Sequence, residues 1–200
     1  MLVFKYGSMS SGKSLELLRI AYDNEKIDKK VLIMKPRTDT RSMLRGECII
    51  SSRIGVEKEG VWIPDNIVDF LDLVYDANPD IVLIDECQFL FEDIVSALRI
   101  LADDDIDIIC FGLLLDFQRE MFPATKKIIE FADDIEYIQG LCECCGKPAT
   151  AVVRLDVEGE PVFVGEKIEV GFNYISVCHK CYAELEEKKM EDMIDAGRVK

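Results

Sequence analysis

A phosphate-binding loop constrains this chain more than any other feature of its sequence. Residues Gly7-Ser8-Met9-Ser10-Ser11-Gly12-Lys13-Ser14 fit the pattern G-x-x-x-x-G-K-[ST]. The loop follows the apolar run Leu2–Tyr6 and precedes Leu15-Glu16-Leu17-Leu18-Arg19-Ile20, which reads as the opening of a helix. A strand end and a helix N-terminus must therefore meet at a tight turn. Glycines let that turn aim backbone N–H groups at phosphate oxygens, and the helix adds partial positive charge at its N-terminus. Lys13 is then placed to reach the β- and γ-phosphates of a nucleotide, and the Ser14 hydroxyl to bind Mg²⁺.

A second signal completes the first. Ile81-Val82-Leu83-Ile84 is a continuous apolar run that suits a buried parallel strand, and Asp85-Glu86 follow it directly. In open α/β sheets, ligands bind beyond the C-terminal ends of the strands. Asp85 is thus a candidate Mg²⁺ ligand and Glu86 a candidate general base for an attacking hydroxyl.

The rest of the first two-thirds of the chain alternates in the same way. Strands are predicted at Leu2–Tyr6, Val31–Lys35, Cys48–Ser51, Ile81–Ile84, Ile106–Leu113 and Ile135–Gln139. Helices are predicted at Ser14–Ile27, Ile67–Ala77, Phe91–Ala102 and Phe122–Ala132. This alternation implies an α/β domain whose mostly parallel sheet is covered on both faces.

The texture changes near residue 140. Cys142-x-x-Cys145 and Cys178-x-x-Cys181 are separated by 32 residues. Two such knuckles can give four thiolates to a tetrahedral Zn²⁺. A full set of four cysteines leaves no open position for a reacting water, so the site reads as structural. The separation requires a hairpin and a loop between the knuckles. Cys144 is an alternative to Cys145, and His179 lies inside the second knuckle as a neighbour rather than a ligand. Cys48, Cys87 and Cys110 stand singly in apolar surroundings and read as buried small hydrophobes. The domain reading is therefore a phosphate-loop ATP-binding domain over 1–140, a zinc-binding segment over 141–182 and an acidic C-terminal tail over 183–200.

A net charge of −15 argues against direct nucleic-acid binding over the surface. The acidity concentrates in Asp103-Asp104-Asp105, in Asp133-Asp134 and after Glu184, where solvated faces are expected. No apolar run approaches membrane-spanning length and no leader is read, so no membrane contact and a cytoplasmic setting are expected.

These landmarks, taken in order, resemble the type II, zinc-containing class of thymidine kinases over roughly residues 1–182. They are the phosphate loop with Met9 inside it, Asp39-Thr40-Arg41, Ser52-Arg53-x-Gly55, Asp85-Glu86-x-Gln88-Phe89, Leu115-Asp116-Phe117 with Phe122, the two cysteine knuckles, and Tyr174 before the second knuckle. The resemblance implies a RecA-like domain joined to a small zinc-ribbon-like lid domain. It implies transfer of the γ-phosphate of ATP, with Mg²⁺, to the 5′-hydroxyl of thymidine or deoxyuridine. It also implies a homotetramer inhibited by thymidine triphosphate.

By the same resemblance Glu86 is the catalytic base, and Arg41 lies near the transferred phosphate, where it would stabilise transition-state charge. Gly7 to Ser14, Asp85, Glu86 and Gln88 form the ATP and phosphate site. Ser14 and Asp85 hold Mg²⁺, with Asp39 an acid linked to that region. Met9, Phe89, Leu113, Phe117 and Phe122 surround the pyrimidine base, and Tyr174 sits in a loop closing over the nucleoside. An apolar pocket with a carboxylate near the hydroxyl is also what nucleoside phosphorylation requires physically.

The chain departs from the family pattern in places. Leu114 stands where an acid is usual and Met121 where a proline is usual. Val152 replaces a threonine that commonly contacts the base edge, and only Gly171 precedes Tyr174 closely. Such losses of polar contact shift base selection. Alternatives left open are a kinase of another deoxynucleoside and a regulatory nucleotide-binding module with weak turnover. A DNA-dependent ATPase is disfavoured by the charge.

Overall fold

The computed structural model describes residues 1–37, 47–165 and 173–195. Asp39, Thr40, Arg41 and Gly171 lie outside the described residues, so the roles read for Asp39 and Arg41 have no structural counterpart here.

The described chain forms two compact units. The first comprises Met1–Tyr6, Gly12–Leu114 and Phe122–Ile138; the second comprises Gly7–Ser11, Leu115–Met121 and the chain from Gln139 onward.

In the first unit the sheet strands are β1 (Leu2–Tyr6), β2 (Val31–Lys35), β5 (Val61–Trp62), β6 (Ile81–Ile84), β7 (Asp107–Gly112) and β8 (Asp134–Tyr137), with the pair β3 (Ile49–Ser51) and β4 (Glu57–Glu59) set apart. The six sheet strands run in the order β5-β2-β6-β7-β1-β8. Every described pairing in this sheet is parallel. Strand β1 therefore sits inside the sheet, one strand from β6.

Four helices cover this sheet: α1 (Lys13–Glu25), α2 (Ile67–Ala77), α3 (Glu92–Asp103) and α4 (Pro123–Phe131). The period-2 alternation of the strands separates two cores. Val82, Ile84, Ile108 and Phe4 pack with Phe70 and Val74 of α2, Ile94 and Leu98 of α3, and Ile128 of α4. Ile81, Leu83, Ile33 and Phe111 pack with Leu17, Leu18 and Ala21 of α1. Both faces are dry, which is why β6 reads as an unbroken apolar run. Local chemistry sets the helix ends. The Asn66 side chain caps α2 by accepting the Asp69 N–H at 2.9 Å, and Pro123 opens α4 at a position that needs no N–H donor.

Five predicted strands keep their place in the parallel sheet within a residue or two. Cys48–Ser51 does not. Its described strand, β3, pairs antiparallel with β4 in a hairpin outside the main sheet. The turn explains it: the Ser52 hydroxyl accepts the Val56 N–H at 3.0 Å, and Gly55 N–H reaches the Ser52 carbonyl at 3.0 Å. That reverses the chain before any crossover helix can form. Cys48, Cys87 and Cys110 are buried, as their surroundings suggested.

The second unit is built on small antiparallel sheets. Strands β9 (Gly140–Leu141) and β10 (Pro148–Ala149) pair, and β11 (Ala151–Leu155) lies between β12 (Pro161–Val162) and β13 (Asn173–Val177). Helix α5 (His179–Asp195) follows the last strand. Ala149, Ala151, Val153, Val177 and Tyr182 form its core with Cys142 and Cys181. The segment from Tyr182, read as an exposed helix or frayed tail, is helical through Asp195.

Candidate functional site

The chemistry of the first unit gathers at the C-terminal end of β6 and the N-terminus of α1. Gly12 caps α1 with a left-handed backbone, φ 91°, a conformation that costs a glycine little. Lys13 and Ser14 then open the helix. The Ser14 hydroxyl donates to Asp85 Oδ2 at 3.1 Å, and the Glu86 N–H reaches Asp85 Oδ1 at 3.1 Å.

Asp85 is only 3% exposed. Burial pushes its carboxyl up to about 6, the Glu86 charge pushes the same way, and Lys35, Ser14 and Lys13 pull it back. Lys13 is also buried, which lowers its pKa, while Glu86 and Asp85 act to raise it. The result is a dry cluster of cations and carboxylates. A divalent cation between the Ser14 hydroxyl and Asp85 would relieve the burial cost of that carboxylate, so these residues fit Mg²⁺.

Glu86 adopts the left-handed region at φ 55°, ψ 38°, unusual for a non-glycine residue. A buried side chain holds it there. Gln88 Nε2 donates to Glu86 Oε2 at 2.6 Å, and Gln88 Oε1 accepts the Leu113 N–H at 3.0 Å. Thr125 extends the chain by donating to the Leu113 carbonyl at 2.9 Å. Glu86 itself remains partly exposed. Phe89 and Phe122 meet edge to face with centroids 5.8 Å apart, Phe89 partly exposed and Phe122 6% exposed. Leu113 is partly buried beside Gln88.

The remaining predicted residues belong to the second unit. Phe117 is 1% exposed, with the Arg154 guanidinium 4.1 Å over its ring. Its backbone carbonyl accepts the Tyr182 hydroxyl at 2.8 Å. Tyr174 lies in strand β13 opposite Arg154, not in a loop, because the β11–β13 ladder begins at Asn173. Val152 is buried opposite Ser176.

Met9 is partly buried, and its carbonyl accepts the Ser176 hydroxyl at 2.5 Å. Gly140 packs against the same loop. A Cβ there would lie 2.6 Å from Ser8 Oγ and 3.1 Å from Ser11 Cβ, so only glycine fits.

Cys142, Cys145, Cys178 and Cys181 bring their sulfurs within 4.8 Å of one another. Four sulfurs at ~2.3 Å from a Zn²⁺ stand about 3.8 Å apart in a tetrahedron. The Cys145 and Cys178 sulfurs are 3.7 Å apart, so the set fits zinc. Cys144 and His179 are exposed and outside this group.

Two cations escaped the sequence reading as site residues. Lys35 ends β2, whose Met34 pairs with Ile84, so it stands beside Asp85 and acts on its charge. Arg53, in the β3–β4 turn, is close enough to influence Lys13. Lys35 was recoverable in principle as the residue ending a strand next to β6. Arg53 figured only as a landmark, because the hairpin that places it was not foreseen.

Comparison with known proteins decides the family. A sequence profile described as Thymidine kinase matches residues 1–182. The chain belongs to the thymidine kinase family. A Thymidine kinase of Streptococcus agalactiae serotype Ia is 40% identical over 186 residues, covering 90% of this chain and 96% of that protein. One of Listeria innocua serovar 6a is 39% identical over 187 residues, covering 91% and 96%. One of Lactococcus lactis subsp. lactis is 40% identical over 186 residues, covering 90% and 96%. Among solved structures, a Pif1 helicase from Candida albicans aligns with 69% of this chain and 36% of its own at 14% identity. Its TM-score of 0.43 is too low to bear on fold or activity. The phosphate loop and the cysteine group both fall inside the matched region. No helix among the described residues is long and apolar enough to cross a membrane.

Proposed function

We propose that this chain transfers the γ-phosphate of ATP to the 5′-hydroxyl of thymidine or deoxyuridine, with Glu86 as general base. The bond from O5′ to the γ-phosphorus forms, the bond from that phosphorus to the β,γ-bridging oxygen breaks, the hydroxyl proton passes to Glu86, and ADP leaves. The observation that carries the reading is the Glu86 carboxylate, held by Gln88 at 2.6 Å next to the Lys13, Ser14 and Asp85 cluster. Family membership and relatives named Thymidine kinase support the choice of acceptor.

Lys13 binds the transferring phosphate, Ser14 and Asp85 hold Mg²⁺, and Arg41 stabilises developing charge. Mg²⁺, when bound with ATP, neutralises phosphate charge. Phe89, Phe122 and Leu113 supply apolar walls for the base. Zn²⁺ on the four cysteines serves structure. The two-part organisation into ATP-binding and zinc-binding portions, the homotetramer and end-product inhibition by thymidine triphosphate belong to the same proposal.

The test is an ATP–Mg²⁺ assay over a panel of pyrimidine and purine deoxynucleosides. Thymidine phosphorylation by the wild type, lost in Glu86→Gln, is the expected result. No transfer to any nucleoside would reduce the chain to a nucleotide-binding module.

A further inference from the structure

One hydrogen bond joins residues 167 positions apart: the Ser176 hydroxyl donates to the Met9 carbonyl at 2.5 Å. Ser176 is 2% exposed, so its hydroxyl has little water to compete for it. Met9 lies in the phosphate loop and Ser176 lies two residues before the second cysteine knuckle.

The peptide plane gives this bond a consequence. In a trans peptide the carbonyl of one residue and the N–H of the next point in opposite directions. Fixing the Met9 carbonyl toward Ser176 turns the Ser10 N–H to the other side. A phosphate cradle needs its N–H groups on one side, facing the anion. Ser10 also holds a left-handed backbone, φ 61°, which a serine adopts at some cost. Something must therefore hold the Met9–Ser10 plane.

Ser176 is itself gripped by the first knuckle. Its N–H donates to Glu143 Oε1 at 2.7 Å, and its carbonyl accepts the Glu143 N–H at 2.8 Å. Glu143 stands between Cys142 and Cys145. On its other side Ser176 pairs with Val152 in the β11–β13 ladder.

We infer that Ser176 is a positioning residue for the phosphate loop, through which the cysteine-bearing fold sets the Met9–Ser10 peptide so that the Ser10 N–H faces the nucleotide phosphates. The inference rests on the proposed reading of the loop as an ATP site, and nucleotide affinity tests it without any phosphate transfer.

The experiment is calorimetric titration of ATP–Mg²⁺, without nucleoside, into wild type, Ser176→Ala, Ser176→Thr and Glu143→Ala. Bound zinc and melting temperature are measured alongside. Losing one buried hydrogen bond is worth about 1–2 kcal/mol, which is roughly a 5- to 30-fold rise in Kd. Ser176→Ala should show that rise with native zinc content, Ser176→Thr should bind like wild type, and Glu143→Ala should fall between. A lowered melting temperature in Ser176→Ala with wild-type Kd would mean a merely structural role and overturn the inference. Should Ser176→Ala not fold, Glu143→Ala decides: a raised Kd supports the inference and an unchanged one overturns it. If wild type binds ATP but phosphorylates no nucleoside, the proposed function fails while the Ser176 result still stands.

Discussion

Ser14 and Asp85, 71 residues apart in sequence, are joined by a hydrogen bond of 3.1 Å from the Ser14 hydroxyl to Asp85 Oδ2. The bond fuses the two sequence signals, the phosphate loop and the acidic end of β6, into one cluster. It also brings a carboxylate out of water, and the consequences can be measured.

Asp85 has a folded-state pKa near 6, above its ordinary 3.8. The folded protein therefore binds this proton more tightly than the unfolded chain. Burying the carboxylate lowers stability as pH rises between those two values, and the penalty is complete above about 6. Without nucleotide or Mg²⁺, Asp85→Asn should raise the melting temperature at pH 7.5 relative to wild type. The gain should shrink toward zero near pH 4. A pH-independent difference in melting temperature would refute the burial account. The same variant should lose most phosphate transfer.

Gln88 links the Glu86 carboxylate to the Leu113 N–H. Gln88→Leu keeps much of the volume and removes both bonds, leaving the partly buried Leu113 N–H without its acceptor. Kinetics should show kcat falling by roughly 10- to 100-fold, with the KM for ATP within about threefold of wild type. A raised KM with intact kcat would instead make Gln88 a nucleotide ligand.

The four clustered sulfurs predict which cysteines matter. Cys142→Ser should lose bound zinc by elemental analysis and melt earlier, since metal binding and local folding are coupled. Cys144→Ser should retain zinc. The reverse pattern would move Cys144 into the site.

Tyr182 is 1% exposed, donates to the Phe117 carbonyl and lies under the Arg119 guanidinium at 4.2 Å from its ring. Tyr182→Phe keeps the ring and loses the bond. Thermal unfolding should show a loss of about 1 kcal/mol with zinc content unchanged. No loss would mean that the Phe117 carbonyl finds another donor.

Much of this architecture was legible in the residues. Strand β6 could be read because both of its faces are buried, and unbroken Ile-Val-Leu-Ile has few other uses. Helix α2 could be bounded because Asn66 and Asn78 cap it chemically. Spacing gave Cys142, Cys178 and Cys181 with either Cys145 or Cys144, and the clustering of the sulfurs selects Cys145. The β3–β4 hairpin was harder to read, because its short, mostly polar β4 carries no apolar period, although Gly55 at φ 87° and the Ser52 hydroxyl together close its turn. The two-residue strand β5 is too short to carry a period.

The sequence by itself determined the phosphate loop, the acidic strand end and the two cysteine knuckles, because each is a local pattern whose chemistry depends on spacing along the chain. Only the tertiary structure decided what lies across from those patterns: Lys35 beside Asp85, Gln88 bridging Glu86 to Leu113, and Ser176 holding Met9. Those relationships join residues up to 167 positions apart. They depend on strand order and register, which no local pattern encodes.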